Sequence, residues 1–392
     1  MRVGIFTDTY YPQVNGVATS TFMLKDSLER LGHEVYVFTT SDKLVKKDEG
    51  NVFRVPSIPV LSERRLAMFY QPHLAKLIKG LNLDIIHTHT EFSLGIFGRS
   101  MAKKLNIPLI HTYHTIYEDY THYIIKLSKL DPLAKRAARK MSSSFCGSAN
   151  RLIVPTQKVK DLLLSYGVER DISVIPTGIK LDKFSNFNYS SKQTKALRSS
   201  LGVEENDKVI LYIGRLSKEK NIEELLMNLH LYLHKKEDLK FVLIGDGPAK
   251  NELMALANQL CIENQVIFAG EKPWESISDY YQIGDVFVSA SQSETQGITY
   301  IEALASGLPV LAKSDPCLKG VVQNELNGYN FHNKIDFLQA LDIILYNEQQ
   351  KKKLSLGAIQ SVEKFSVNHY ARNVENVYSK CISVPHYKQM II

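Results

Sequence analysis

Cysteine is scarce in this 392-residue chain: Cys146, Cys261, Cys317 and Cys381 stand singly, with no CxxC pair. That spacing excludes a dense disulfide framework and argues against a zinc site; it suits reduced or buried thiols. No apolar run approaches the roughly 18 residues that suggest a membrane-spanning helix. The opening run "MRVGIFTDTY" meets Asp8 too early for the apolar region of a secretory signal, so it reads as a buried first strand. Neither GxGxxG nor the GxxxxGK phosphate loop occurs, which removes the best sequence support for hydride transfer and simple nucleotide hydrolysis.

What is present is the composition of an ordinary folded protein, with 44% apolar and 23% charged residues. The length exceeds what one compact core usually covers, so two domains are expected. The net charge of +7 is unevenly spread: residues 1–180 hold 25 Lys and Arg against 16 Asp and Glu, and the remainder holds 23 against 25. A basic first half points to an anionic partner such as nucleic acid or an acidic membrane surface, or else to a solvated basic face.

Short β-branched runs alternate with helical patterns through both halves. "RVGIF", "EVYVFT", "LDIIHTH", "IPLIHTYH", "RLIVPT" and "ISVIPTG" come first; "KVILYIGR", "LKFVLIGDGP", "QVIFAGE", "DVFVSAS" and "LPVLAK" follow a polar stretch around 185–206. Continuous apolar strands between helices predict α/β architecture: two doubly wound parallel sheets, each covered on both faces. The expected domains are 1–180 and 181–369, with a last helix at about 370–392 able to pack back on the first. Ligands of such sheets sit beyond the carboxyl ends of strands, so a two-substrate cleft between the domains is expected.

Several polar residues fall at predicted strand ends. Gly16 in "VNGVATS" opens a helix after the first strand, either as a structural turn glycine or as a point of close ligand approach. Arg215 and Lys220 in "YIGRLSKEKNIEEL" are two cations suited to a diphosphate, with pairing to Glu219 as the alternative. In "SETQGITYIEAL" the turn around Gly297 leads into a helix whose free N–H groups and dipole favour phosphate. Glu294 and Glu302 flank that turn, and each carboxylate can accept from vicinal hydroxyls; two solvated glutamates are the plain alternative. Two acceptors around a phosphate cradle match a sugar–diphosphate–ribose ligand.

Together, Glu294(x7)Glu302, "GRLSKEKN", "IGDGP", "EALASGLPV" and the N-terminal "YPQVNGVA" resemble the retaining glycosyltransferases of the GT4 type, with the GT-B fold of two Rossmann-like domains. The resemblance touches both halves and keeps motif order. It implies that Glu302 holds the ribose and Glu294 the donor sugar, as a catalytic residue. Gln296 and the backbone of Gly297, Ile298 and Thr299 then meet the sugar and diphosphate, Arg215 and Lys220 neutralise the phosphates, and Gly16 closes over the donor. His114 in "HTYHT" stands where the family places a catalytic histidine; alone it would read as a satisfied core residue. The implied chemistry needs no cofactor and no metal, beyond a possible non-specific stimulation by Mg2+, and the DxD metal signature is not evident. A sugar-nucleotide epimerase of similar architecture is the rival enzyme class.

The acceptor is less legible. "ERRLAMFYQPHLAKLIKGL" (63–81) reads as a helical stripe of Leu66, Phe69, Tyr70, Leu74, Leu77, Ile78 and Leu81, with Arg64, Arg65, Lys76 and Lys79 outside it. "YIIKLSKLDPLAKRAARK" (123–140) mixes apolar residues with bases, and Asp131-Pro132 marks a helix start. Such surfaces either lie on anionic lipid or face a core. "GIFTDTYYPQVNGVATS" and "HTYHTIYEDYTHY" look most like the members that glucosylate diacylglycerol. That likeness implies UDP-glucose as donor, diacylglycerol as acceptor, no nucleic-acid partner, and a cytoplasmic enzyme peripheral on the inner face of the cell membrane. A capsule, teichoic acid or glycoprotein glycan acceptor is the alternative.

Overall fold

A computed structural model describes residues 1–13, 15–43, 45, 50–61, 64–67, 72–120, 131–185 and 191–383. The chain divides into two compact units, Met1–Gly178 with the segment from Val367, and Ile179–Ser366.

The first unit is built on a seven-stranded sheet. Its strands are β1 (Arg2–Phe6), β2 (Glu34–Thr40), β3 (Val52–Val55), β6 (Ile85–Thr88), β7 (Leu109–Thr112), β8 (Arg151–Val154) and β9 (Ile172–Val174). They lie in the order β3-β2-β1-β6-β7-β8-β9, every pair parallel. A small antiparallel hairpin of β4 (Ser57–Leu61) and β5 (Arg64–Ala67) stands apart from it. Side chains alternate along each strand, so Val3 and Ile5 join one core cluster while Phe6 joins the other. Burial of both faces explains the uninterrupted apolar runs. On the first face the helices Gly16–Arg30 and Val367–Ile382 bring Leu24, Leu28, Tyr370, Val374 and Tyr378. Tyr378 also donates to or accepts from His87 Nδ1 at 2.7 Å, tying the last helix to β6.

The second unit repeats the plan with β10 (Lys208–Ile213), β11 (Leu239–Ile244), β12 (Val266–Gly270), β13 (Val286–Ser289), β14 (Val310–Lys313) and β15 (Gly328–Phe331). Their order is β12-β11-β10-β13-β14-β15, again all parallel. Both sheets thus reverse direction beside their first strand, at β1/β6 and at β10/β13. That reversal opens a crevice at the carboxyl ends of the two strands, the place where doubly wound sheets bind ligands.

Two local expectations change. The stripe over 63–81 is not one helix: β5 takes Arg64–Ala67 and a helix spans Pro72–Gly80, while Phe69 and Tyr70 lie outside the described residues. Leu66 therefore sits on a strand, Leu74 and Ile78 are buried, and Leu77 is exposed. Pro72 explains the break, because proline is tolerated in a helix's first turn and not inside it. The second basic stretch does start a helix at Asp131, running to Cys146; its part at 123–130 lies outside the described residues.

Candidate active site

In the second unit the residues singled out from the sequence gather at the carboxyl ends of β10 and β13. Past β10 the chain must turn sharply beside β11. Gly245 permits this, since a Cβ there would come within 2.0 Å of the Gly214 carbonyl oxygen and its φ is +139°. This accounts for the glycines of "IGDGP". The loop then carries Arg215, whose carbonyl accepts from Tyr212 Oη at 3.0 Å, and Lys220, two residues before the helix Ile222–Leu233.

Lys220 reaches across to the loop after β13 and donates to Glu294 Oε1 at 2.5 Å. Both side chains are about one-fifth exposed, 18% and 19%. The alternative partner Glu219 is otherwise engaged, accepting from Ser217 Oγ at 2.7 Å while its carbonyl accepts from Ser293 Oγ at 3.1 Å. The fold therefore brings the cation and the first acidic residue of the sequence motif into one charge-assisted contact.

The turn that follows is fixed by Gly297, which has φ +74° and is buried, as is Gln296. A Cβ on Gly297 would lie 2.2 Å from Tyr300 Cδ2, so only glycine fits. Ile298 opens the helix Ile298–Ala305, with Thr299 next. Their N–H groups have no carbonyl four residues back to bond, leaving donors and the positive end of the dipole at the sheet's carboxyl edge. Eight residues are too few for a stable isolated helix. Burial of Tyr300, Ile301 and Leu304, at roughly 2 kcal/mol each, holds it.

Glu302 lies one turn into this helix and is 8% exposed. Its Oε2 accepts from Tyr281 Oη at 2.8 Å. Burial pushes its carboxyl up to about 7, with the Tyr281 hydrogen bond and the Lys183 charge opposing. Lys183, in the short helix Leu181–Phe184, donates to the Trp274 carbonyl at 2.5 Å and stands 3.1 Å from the centroid of the Trp274 ring. Burial lowers its ammonium to about 8, while Glu302, Glu275 and Asp279 pull it back up. Tyr281, Lys183 and the chain's one tryptophan were not legible as site residues: no spacing links positions 183, 274, 281 and 302 before the fold joins them.

Gly16 and His114 belong to the first unit. Gly16 is exposed and begins the helix Gly16–Arg30, whose N-cap Asn15 accepts from Ala18 N at 2.9 Å. His114 follows β7, and its Nε2 lies 2.9 Å from His89 Nδ1. Here too the sequence hid a partner. His89 follows β6, which pairs with β7, and only that pairing sets the two rings side by side. Among the described residues no group of three or more His, Cys, Asp or Glu is arranged to hold a metal.

The comparisons with known proteins agree with this architecture. Residues 14–183 match the family model "Glycosyltransferase Family 4", and residues 193–360 match "Glycosyl transferases group 1". The chain is 40% identical over 386 residues to an alpha-monoglucosyldiacylglycerol synthase of Streptococcus pneumoniae, covering 97% of this chain and 86% of the relative. It is 36% identical over 387 residues to an enzyme of the same name from Acholeplasma laidlawii, covering 96% of each. Among solved structures, Anabaena HepE in complex with UDP and glucose superposes with a TM-score of 0.76 at 19% identity, over 97% of this chain and all of that one. This chain therefore belongs to the family 4 glycosyltransferases: it is a hexosyltransferase of the GT-B type.

Proposed function

We propose that the chain transfers glucose from UDP-glucose to the free hydroxyl of a diacylglycerol, with retention of configuration at the anomeric carbon. The observation that carries the donor half is the meeting of Lys220, Glu294 and the open start of the helix Ile298–Ala305 beyond β10 and β13. Breaking a glycosyl–phosphate bond places negative charge on the leaving diphosphate. Lys220, Arg215 and the N–H groups of Ile298 and Thr299 are preorganised to stabilise that charge as it grows. Glu294, already oriented by Lys220, accepts from hydroxyls of the sugar. Glu302 accepts from the ribose through the oxygen that Tyr281 leaves open. His114 serves the transfer step, and the leaving phosphate takes the acceptor's proton, so neither a protein nucleophile nor a metal is invoked.

The acceptor half rests on the relatives, whose name describes synthesis of a glucosylated diacylglycerol, and on one face of the helix Asp131–Cys146. Leu133, Arg136, Ala137 and Lys140 fall at helical spacing and are all exposed, Leu133 at 67%. An apolar residue among bases on a solvent face suits an anionic bilayer, where each base adds on the order of 1 kcal/mol. No described helix is long and apolar enough to cross a membrane. The reading is of an enzyme that works at the cytoplasmic membrane surface without spanning it.

The test is a donor-by-acceptor screen with labelled UDP-sugars and purified lipids, the product's anomeric configuration being read by NMR. Glucosyl transfer to diacylglycerol in the α configuration is expected. Transfer to a glycan acceptor in preference to lipid, or interconversion of UDP-sugars without an acceptor, would replace this reading.

A further inference from the structure

Three imidazoles stand in a row at the carboxyl ends of β6 and β7. The ring centroids of His87 and His89 are 4.1 Å apart, and those of His89 and His114 are 5.2 Å apart with planes 21° from parallel. His87 is satisfied at both nitrogens, by Tyr378 Oη and Thr112 Oγ1, each at 2.7 Å. His89 is not: its Nδ1 meets His114 Nε2 at 2.9 Å, while its Nε2 is buried with no hydrogen-bond partner among the described residues.

Burial holds His89 well below the ordinary histidine range and brings His114 down to about 3, so both rings are neutral near pH 7. Two neutral imidazoles share one hydrogen bond in either of two ways. If His114 Nε2–H donates, His89 must carry its own proton at Nε2, where a buried N–H would go unpaired. If His89 Nδ1–H donates, the atom left over is a bare lone pair. Stranded buried N–H groups are the rarer in folded proteins, which favours the second arrangement. His114 then holds its proton at Nδ1, on a ring that is only part-buried.

The loop bearing His89 is unusually well fixed. Its own N–H donates to the Phe6 carbonyl at 2.9 Å. The buried carboxylate of Asp8, at the end of β1, accepts from Thr90 Oγ1 at 2.6 Å, from Leu94 N at 3.0 Å and from Ser93 Oγ. Gly95 lets the helix Ser93–Leu105 close on this loop, because a Cβ there would come within 1.8 Å of the Thr90 carbonyl oxygen.

We infer that His89 is a positioning residue for His114: its Nδ1–H sets the ring and tautomer of His114, which presents Nδ1–H as a donor toward a hydroxyl or phosphate oxygen. This rests on the proposed part of His114 in glycosyl transfer, but the tautomer does not. Ring-15N histidine spectra of the ligand-free protein, with His114 assigned through His114→Asn, are expected to show a protonated Nδ1 and a bare Nε2 at His114. His89→Phe removes the donor and should populate the Nε2–H form. It should also lower kcat by about tenfold or more with the donor KM little changed. His89→Asn keeps an N–H near the Nδ1 position and should restore both the spectrum and most of the rate. A wild-type His114 protonated at Nε2, or a folded His89→Phe protein with an unchanged His114 spectrum and rate, would overturn the inference. If wild-type protein transfers no sugar at all, the function is wrong, and the 15N spectrum still decides the role of His89.

Discussion

Lys220 and Glu294 are 74 positions apart in sequence and 2.5 Å apart in space. The contact joins the loop after β10 to the loop after β13, the two strands flanking the sheet's reversal. The fold thereby sets against each other the cation proposed above for the diphosphate and the carboxylate proposed for the sugar hydroxyls.

If that pair serves the donor, Lys220→Ala and Glu294→Ala should each lower kcat/KM by about 100-fold or more. Their thermal stabilities should change much less, because both groups keep a path to water. A double-mutant cycle on stability should give a coupling on the order of 1 kcal/mol. Transfer at the wild-type rate by either variant would remove the pair from the site.

Glu302 supplies a pH dependence whose sign is fixed by its environment. Its carboxyl, raised from 4.5 to about 7, binds a proton in the folded protein over a range where the unfolded chain has lost it. Its contribution to stability is therefore largest at low pH and declines as pH rises from 4.5 through 7. If Glu302 holds the ribose as proposed, ligand binding runs the other way, because the ionised carboxylate is the stronger acceptor for hydroxyls. Calorimetry of UDP should show affinity falling below pH 7, by about tenfold per unit once the carboxyl is mostly protonated. Lys183→Met removes a charge that holds the carboxyl down, so the midpoint should move to higher pH; an unmoved midpoint would separate Lys183 from Glu302.

Gly297 is a backbone prediction. An alanine there must adopt positive φ and displace the Tyr300 ring, whose hydroxyl donates to Ser289 Oγ at 2.8 Å. Gly297→Ala should cost on the order of 1–3 kcal/mol of stability and weaken UDP binding in parallel. Thermal denaturation with and without UDP reads both effects.

The helix Asp131–Cys146 offers the membrane test. Lys135 and Arg139 are already paired, to Asp131 at 2.9 Å and to Glu118 at 2.6 Å, whereas Arg136 and Lys140 share the exposed face with Leu133. Arg136→Glu with Lys140→Glu should reduce sedimentation with phosphatidylglycerol vesicles by roughly tenfold or more. Rising salt should weaken the wild type in the same direction. Sedimentation unaffected by either would assign the basic face to solvent.

The sequence was most legible where physics is local. "RVGIF" is β1 to the residue, and every apolar run named as a strand became one, because a segment buried on both faces must be apolar throughout. It was least legible at sheet edges, where β3 and β15 are mostly half-buried and so need not be apolar throughout. β3 and β15 escaped notice, and the 63–81 stripe hid a hairpin strand. In "GYNF" the opening glycine reads as a loop, yet a Cβ on Gly328 would come within 2.0 Å of the Val310 carbonyl, so the glycine is what lets this strand approach β14.

The same division runs through the site. The order of residues alone settled the alternation of strands and helices, the glycine turn before Ile298 and the placing of Glu302 one turn beyond it, since each depends on neighbours within a few positions. Tertiary structure alone decided that Lys220 grips Glu294, that burial opposed by Tyr281 and Lys183 sets the acidity of Glu302, and that His89 lies against His114. Those contacts depend on which strands become neighbours, and strand order is selected by packing across the whole sheet, which no local pattern encodes.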